Sequence, residues 1–223
     1  MKDKNKGDYM ETSLVEYNKS LTTIKSESDL PPHVSFEKYK ELRNHPEIKT
    51  QADRMLITLL WETGGRVSDV LSFRWKNFEG LNSMEPNLRF VIKKTQKPIN
   101  IPISPELATD IRQWKQLVNP ESEEHFLFPG KSVLGRDTFM FIHETRQNVH
   151  KKMKVWGALI NLPNLHAHMF RHGLIVYLFL VCGLHYKIIA ARTGHSNPMM
   201  ILNTYSVVTN AIQRDALKNI PMR

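Results

Sequence analysis

Apolar positions in this chain recur mostly at helical spacing, in runs broken by prolines and glycines, with one interval of strict alternation near the middle. Residues 1–30 are polar, mixed in charge and without an apolar period, which predicts a flexible N-terminal arm closed by Leu30-Pro31-Pro32. Ser35 is placed to cap a helix running to Arg43, and Pro46 stops its continuation. The run MLITLLW predicts an apolar helix over residues 51–62 that ends at Gly64-Gly65, with a short helix over 66–73 directly behind it. Residues 88–93 and 99–103 alternate as strands do, and Lys94-Thr95-Gln96-Lys97-Pro98 joins them as a hairpin turn. Pro105 belongs in the first turn of a helix reaching Val118. Further helices are expected at 137–156, 168–182, 185–193 and 197–208, and an amphipathic piece at 210–219. The expected fold is mainly α with a small antiparallel β-sheet, an α+β class.

Charge changes this picture. The formal net charge is +9, yet the first 30 residues carry 5 basic and 6 acidic side chains, so the positive surplus belongs to the part expected to fold. A basic folded surface suits a polyanion, although lysines kept for solubility give the same total. Cys182 is the only cysteine, which excludes an internal disulfide and a Cys₃ or Cys₄ metal site. Its apolar surroundings predict a buried structural thiol. The apolar run over 174–182 is too short to span a bilayer and the N-terminus lacks an apolar signal region, so a cytoplasmic protein is expected.

The candidate chemistry lies in short clusters. Arg66 follows Gly64-Gly65 where a ligand can approach the backbone. His168 and Arg171 are one helical turn apart. An arginine fork grips two phosphate oxygens and keeps its charge when desolvated, and donors aimed at those oxygens stabilise the charge of a pentacoordinate phosphorane. His195, in T-G-H-S, can hydrogen-bond a phosphate oxygen, and His168 can exchange a proton near neutrality. Lys93, Lys94 and Lys97 on the hairpin offer a proton for a leaving oxygen, or simple electrostatic contact with a nucleic-acid backbone. Tyr205 is a weak nucleophile unless its phenolate is favoured. His185 reads as a satisfied core histidine. His166, His168 and His172 invite a metal, but no H-E-x-x-H pattern or cysteine pair accompanies them, and neither metal nor cofactor is expected.

Taken in order, these clusters resemble the catalytic domain of the tyrosine recombinases, the phage integrase family. TGGRVSD is similar to the family's first-arginine box, with Asp69 in its supporting acidic position. KKTQKPINIP resembles the lysine hairpin, and counting back from Pro102 selects Lys94. HMFRHG matches the H-x-x-R-H box, with His172 as buttress, and TGHSNPMMILNTY matches the box that ends in the nucleophile. The resemblance implies catalysis by Arg66, Lys94, His168, Arg171, His195 and Tyr205, with Lys93, Lys97 and Arg74 assigned to DNA contact. It implies metal- and ATP-independent cleavage and rejoining of double-stranded DNA through a 3′-phosphotyrosyl bond, and a homo-tetramer in the synaptic complex. A type IB topoisomerase, a DNA-binding regulator and a metal-dependent nuclease are the alternatives. The expected organisation is an arm over 1–30, a catalytic domain over 31–209 and a tail helix over 210–223 that docks on its own core or on a neighbouring protomer. The core-binding domain that usually precedes the catalytic one is expected to be largely absent.

Overall fold

A computed structural model of the protein describes residues 30–130 and 143–205. The expected arm and tail helix, and the start of the helix expected from residue 137, lie outside them. The described residues form two compact units. The first holds His33–Leu174 and Arg192–Gly194, and the second holds the described residues up to Pro32, Ile175–Ala191 and the described residues from His195.

In the first unit, α1 (Phe36–Asn44) starts where Ser35 Oγ accepts the Lys38 N–H. Helix α2 (Gln51–Thr63) is capped by Thr50 and is almost wholly buried from Met55 to Trp61. Arg43 joins α1 to its neighbours: Nε donates to Thr58 Oγ1 at 3.0 Å and Nη2 meets Asp110 at 2.5 Å. Helix α2 ends at Gly64, whose φ of +57° is left-handed and whose missing Cβ leaves room for Leu174 and Thr193. Helix α3 is only Val67–Val70, shorter than expected. Phe73 instead commits its carbonyl to Leu127, and Arg74 bridges to Phe126, so the chain straightens before a second turn can form.

The sheet has three antiparallel strands in the order β1 (Phe78–Glu79), β2 (Asn87–Val91), β3 (Pro98–Pro102). Leu88 faces Ile101 and Phe90 faces Ile99 on the buried side, while Arg89, Val91 and Asn100 look outward. The expected hairpin is present, with Gln96 at φ +55° in its turn. Helix α4 (Pro105–Val118) begins at Ser104, whose Oγ accepts the Leu107 N–H, and it buries Leu107, Ala108 and Ile111. Helix α5 (Arg146–Leu159) starts at its Thr145 cap and buries Val149, Met153 and Trp156. Lys152 of α5 pairs with Asp53 of α2 at 2.7 Å.

Helix α6 (Ala167–Leu180) contributes its first half to the first unit. There Gly173 lies so close to residue 34 that a Cβ would come within 1.9 Å of the Val34 carbonyl oxygen. Val34 N–H also donates to Met169 O at 3.0 Å.

The second unit holds the rest of α6, most of α7 (Tyr186–Thr193), α8 (Met199–Thr204) and Tyr205. Two expectations are corrected here. Cys182 is exposed, because α6 ends at Leu180 and the chain turns through Gly183 at φ +60°. His185 is exposed too, and its Nδ1 accepts the Lys187 N–H at the start of α7. Among the described residues no helix is long and apolar enough to cross a membrane.

Gly173→Ala tests the packing of α6. Overpacking of this kind costs about 1–3 kcal/mol, so urea denaturation is expected to show a lower midpoint with an unchanged slope. A midpoint equal to wild type would contradict the packing described.

Candidate active site

The arginine turn is built locally. Thr63 Oγ1 donates to Leu59 O and accepts the Gly65 N–H at 3.0 Å, which fixes the path of Gly64-Gly65. Arg66 then occupies the N-cap position of α3 with extended backbone (φ −68°, ψ 149°) and makes no capping hydrogen bond. Its Nη1 is buried without a hydrogen-bond partner and stands 4.0 Å from Asp69 Oδ2, an ion pair too long for a hydrogen bond. A buried guanidinium nitrogen left in this state is costly unless an anion meets it.

Asp69 is 2% exposed and divides its carboxylate between two tasks. Oδ2 faces Arg66 and Oδ1 accepts the backbone N–H of Lys93 at 3.1 Å, so the start of the lysine turn is tied to the arginine turn. The side chains of Lys93, Lys94 and Lys97 are exposed around that turn.

Arg171 comes from α6 and is 2% exposed. Its Nη1 donates to Gly64 O at 2.8 Å and to Thr193 O at 2.6 Å. One nitrogen thus holds the approach to Arg66 and the segment that leads to His195. Gly194, at φ +69°, packs so tightly on the hairpin that a Cβ would meet Ile92 Cδ1 at 2.3 Å and Ile99 Cδ1 at 2.6 Å.

His168 and His172 meet edge to face, with ring centroids 4.8 Å apart. His168 keeps an exposed edge, yet partial burial, then Arg171, Arg66 and His166, hold its pKa below the usual histidine range. His172 is pushed down to about 4, first by burial and then by His168, Arg171, His166 and His33. Both rings are therefore neutral near pH 7, and His168 is in the form that accepts a proton.

Beside His168 opens a cavity of about 690 Å³ lined by Val67 and by residues of α5 and α6, among them Arg146, Gln147, His150, Lys151, Lys154 and His166. The sequence reading missed this basic wall. Its signal was available: Arg146, His150 and Lys154 recur every four residues, flanking the buried Val149 and Met153 that line the same cavity. Arg74, expected to contact DNA, has its guanidinium 4.1 Å from the Phe126 ring centroid and donates to Glu124 O. Among the described residues no three His, Cys, Asp or Glu side chains converge as a metal site.

In the second unit, His195 is half-buried and its N–H donates to Ala190 O at 2.9 Å. Tyr205 caps the C-terminus of α8, is 2% exposed, and has its ring 6.4 Å from that of Phe179.

Residues 33–211 match the family model described as the phage integrase family. The chain belongs to the phage integrase family. It is 26% identical over 212 residues to tyrosine recombinase XerD of Pasteurella multocida, covering 91% of this chain and 65% of that protein. The chain therefore spans about two-thirds of the length of this relative. Solved structures of phage integrase family folds agree. The XerH site-specific recombinase in a post-cleavage complex with palindromic difH substrate superposes with a TM-score of 0.64 at 17% identity, over 84% of this chain and 53% of XerH. The catalytic domain of bacteriophage HP1 integrase gives a TM-score of 0.52 at 15% identity, over 85% of this chain and 98% of that domain. The expected mainly helical fold with its small sheet is thus the fold of integrase catalytic domains.

The neutral histidines make stability depend on pH. Because their folded pKa values lie below the unfolded value of about 6.5, the unfolded chain binds more protons, and stability falls as pH drops from about 6.5 towards about 4. His172→Asn is expected to lose less stability than wild type between about pH 7 and 4.5 in denaturant titrations. Equal acid sensitivity would show that the pair is not the titrating element.

Proposed function

We propose that the protein is a site-specific DNA recombinase that cleaves and rejoins strands of double-stranded DNA through a 3′-phosphotyrosyl intermediate. The observation that carries this reading is the buried, unpartnered Nη1 of Arg66, set in a turn that Arg171 holds by the carbonyl of Gly64. An anionic oxygen entering there completes a hydrogen bond and compensates a buried charge at once. XerD and XerH, to which the chain is similar, are named recombinases, and the XerH structure is described with its DNA substrate after cleavage, which supports DNA as the anion.

The steps follow from the residues. The scissile phosphate sits against Arg66, Arg171 and His195, which supply donors to its non-bridging oxygens as negative charge builds on them. The Tyr205 oxygen bonds to phosphorus, and its proton passes through neutral His168 to solvent. The bond from phosphorus to the 5′ oxygen breaks, and Lys94 gives that oxygen a proton. A 5′ hydroxyl of another strand then attacks the phosphotyrosine and reverses the sequence. The energy of the broken bond is kept in the protein–DNA ester, so neither a nucleotide cofactor nor a metal enters the scheme. Lys93 and Lys97 contact the DNA backbone, and the basic wall of α5 receives adjacent phosphates.

Tyr205 is buried in the free chain, so attack requires its turn to open onto the bound phosphate. The reading includes a homo-tetrameric synapse. It keeps residues 31–209 as the catalytic domain.

A nicked suicide duplex tests the scheme. Wild type is expected to leave an adduct that survives denaturing gels, and Tyr205→Phe to bind the same DNA with the same salt dependence and leave none. Lys94→Ala is expected to slow adduct formation by about 10²–10⁴-fold. An adduct formed by Tyr205→Phe would move the nucleophile elsewhere.

A further inference from the structure

Three consecutive residues, Arg192, Thr193 and Gly194, each hold a different part of the site. Thr193 O receives Arg171, and Gly194 lies against Ile92 and Ile99 of the hairpin. Arg192 bridges the other two parts: Nη2 donates to Glu62 O at 2.8 Å, and Nη1 donates to Pro102 O at 3.0 Å. Glu62 is the last residue but one of α2, two positions before the Gly64 carbonyl that Arg171 grips. Pro102 ends β3, the strand that returns from the lysine turn.

We propose that Arg192 is a positioning residue for strand cleavage, fixing the lysine hairpin against the arginine turn and thereby setting Lys94 against the leaving 5′ oxygen. The proposal rests on the recombinase reading above. Asp69 pins the hairpin near its tip through the Lys93 N–H, but one hydrogen bond leaves a lever that can pivot. Arg192 supplies the second point, at the strand's far end. Strand β3 is paired with β2 from Val91↔Pro98 to Asn87↔Pro102, so the ladder carries a shift at one end to the other.

The carboxylate of Glu62 completes the clamp. Ser104 Oγ lies 3.1 and 2.9 Å from its two oxygens, while accepting the Leu107 N–H as the cap of α4. Burial raises the Glu62 pKa, and Ser104 and Arg192 oppose that rise. The pair thus fixes the place where β3 passes into α4. A planar guanidinium reaches two carbonyls from one anchored side chain, which a lysine ammonium does poorly.

The chemistry of the leaving group isolates the effect. A DNA with sulfur in place of the scissile 5′ oxygen expels a thiolate, which needs no proton from a general acid. If Arg192 acts through Lys94, Arg192→Ala slows adduct formation on ordinary nicked DNA by about 10²-fold. With the sulfur substrate the same variant is expected within about threefold of wild type, and Lys94→Ala shows the same rescue. Fluorescence anisotropy is expected to give an unchanged Kd for DNA. Arg192→Lys keeps the charge and serves if the alanine variant does not fold: it too is expected to be slowed on oxygen DNA and rescued by sulfur. An equal deficit on both substrates, or none on either, would overturn the positioning role while leaving the recombinase reading intact. No adduct from wild type on either substrate would remove both.

Discussion

A single buried nitrogen organises this protein. Arg171 brings a full charge into the interior, where an uncompensated guanidinium would be strongly destabilising. Its Nη1 meets two backbone carbonyls, Gly64 O and Thr193 O, from segments separated by more than a hundred residues. Neither carbonyl lies inside regular hydrogen bonding, since Gly64 is a left-handed helix cap and Thr193 closes α7. Two chain ends that need a donor and one arginine that needs acceptors satisfy each other. The loops carrying Arg66 and leading to His195 are thereby held to α6.

The electrostatics follow from this arrangement. Arg171 is buried and held by two backbone carbonyls, while the partly buried Arg66 faces the Asp69 carboxylate at 4.0 Å. Burial first, and then the neighbouring positive charge, keeps His168 and His172 neutral. A site of this kind is short of one anion, and the basic wall of α5 extends its pull beyond the immediate pocket. The hairpin is then fixed relative to that anion site by Asp69 near the turn and by Gly194 on its flank. Local capping and long-range clamping agree, which is how a site made of scattered residues becomes rigid.

Much of this was legible in the sequence where local chemistry decides. Ser35, the Ser104-Pro105 pair and Gly64 mark helix ends by capping alone, and the alternation from Leu88 to Ile103 gave the hairpin. The order of the motif residues predicted that Arg66, Lys94, His168, Arg171, His195 and Tyr205 would gather at one site; of this, the described contacts include the tie of the lysine turn to Asp69 and that of Arg171 to the Gly64 turn. What was hidden depends on tertiary contacts. Strand β1 has two residues, too few to show a period, and exists only because Phe78 and Glu79 pair with Leu88 and Asn87. The helix expected from residue 66 was cut short by bridges to a segment fifty residues away. Cys182 and His185 follow an apolar run, but that run ends in a turn, so both reach solvent. Arg192 has no motif around it, and its two carbonyl partners emerge only when α2 and β3 are brought side by side.

The central claim is that Arg66 and Arg171 frame one anion-binding position. A crystal structure of the Tyr205→Phe variant with a nicked duplex tests it most directly. The account expects the scissile phosphate within hydrogen-bond distance of Arg66 Nη1 and beside the Arg171 guanidinium, with the Gly64 and Thr193 carbonyls still on Arg171. A duplex seated elsewhere on the basic surface, with no phosphate at Arg66 Nη1, would contradict it.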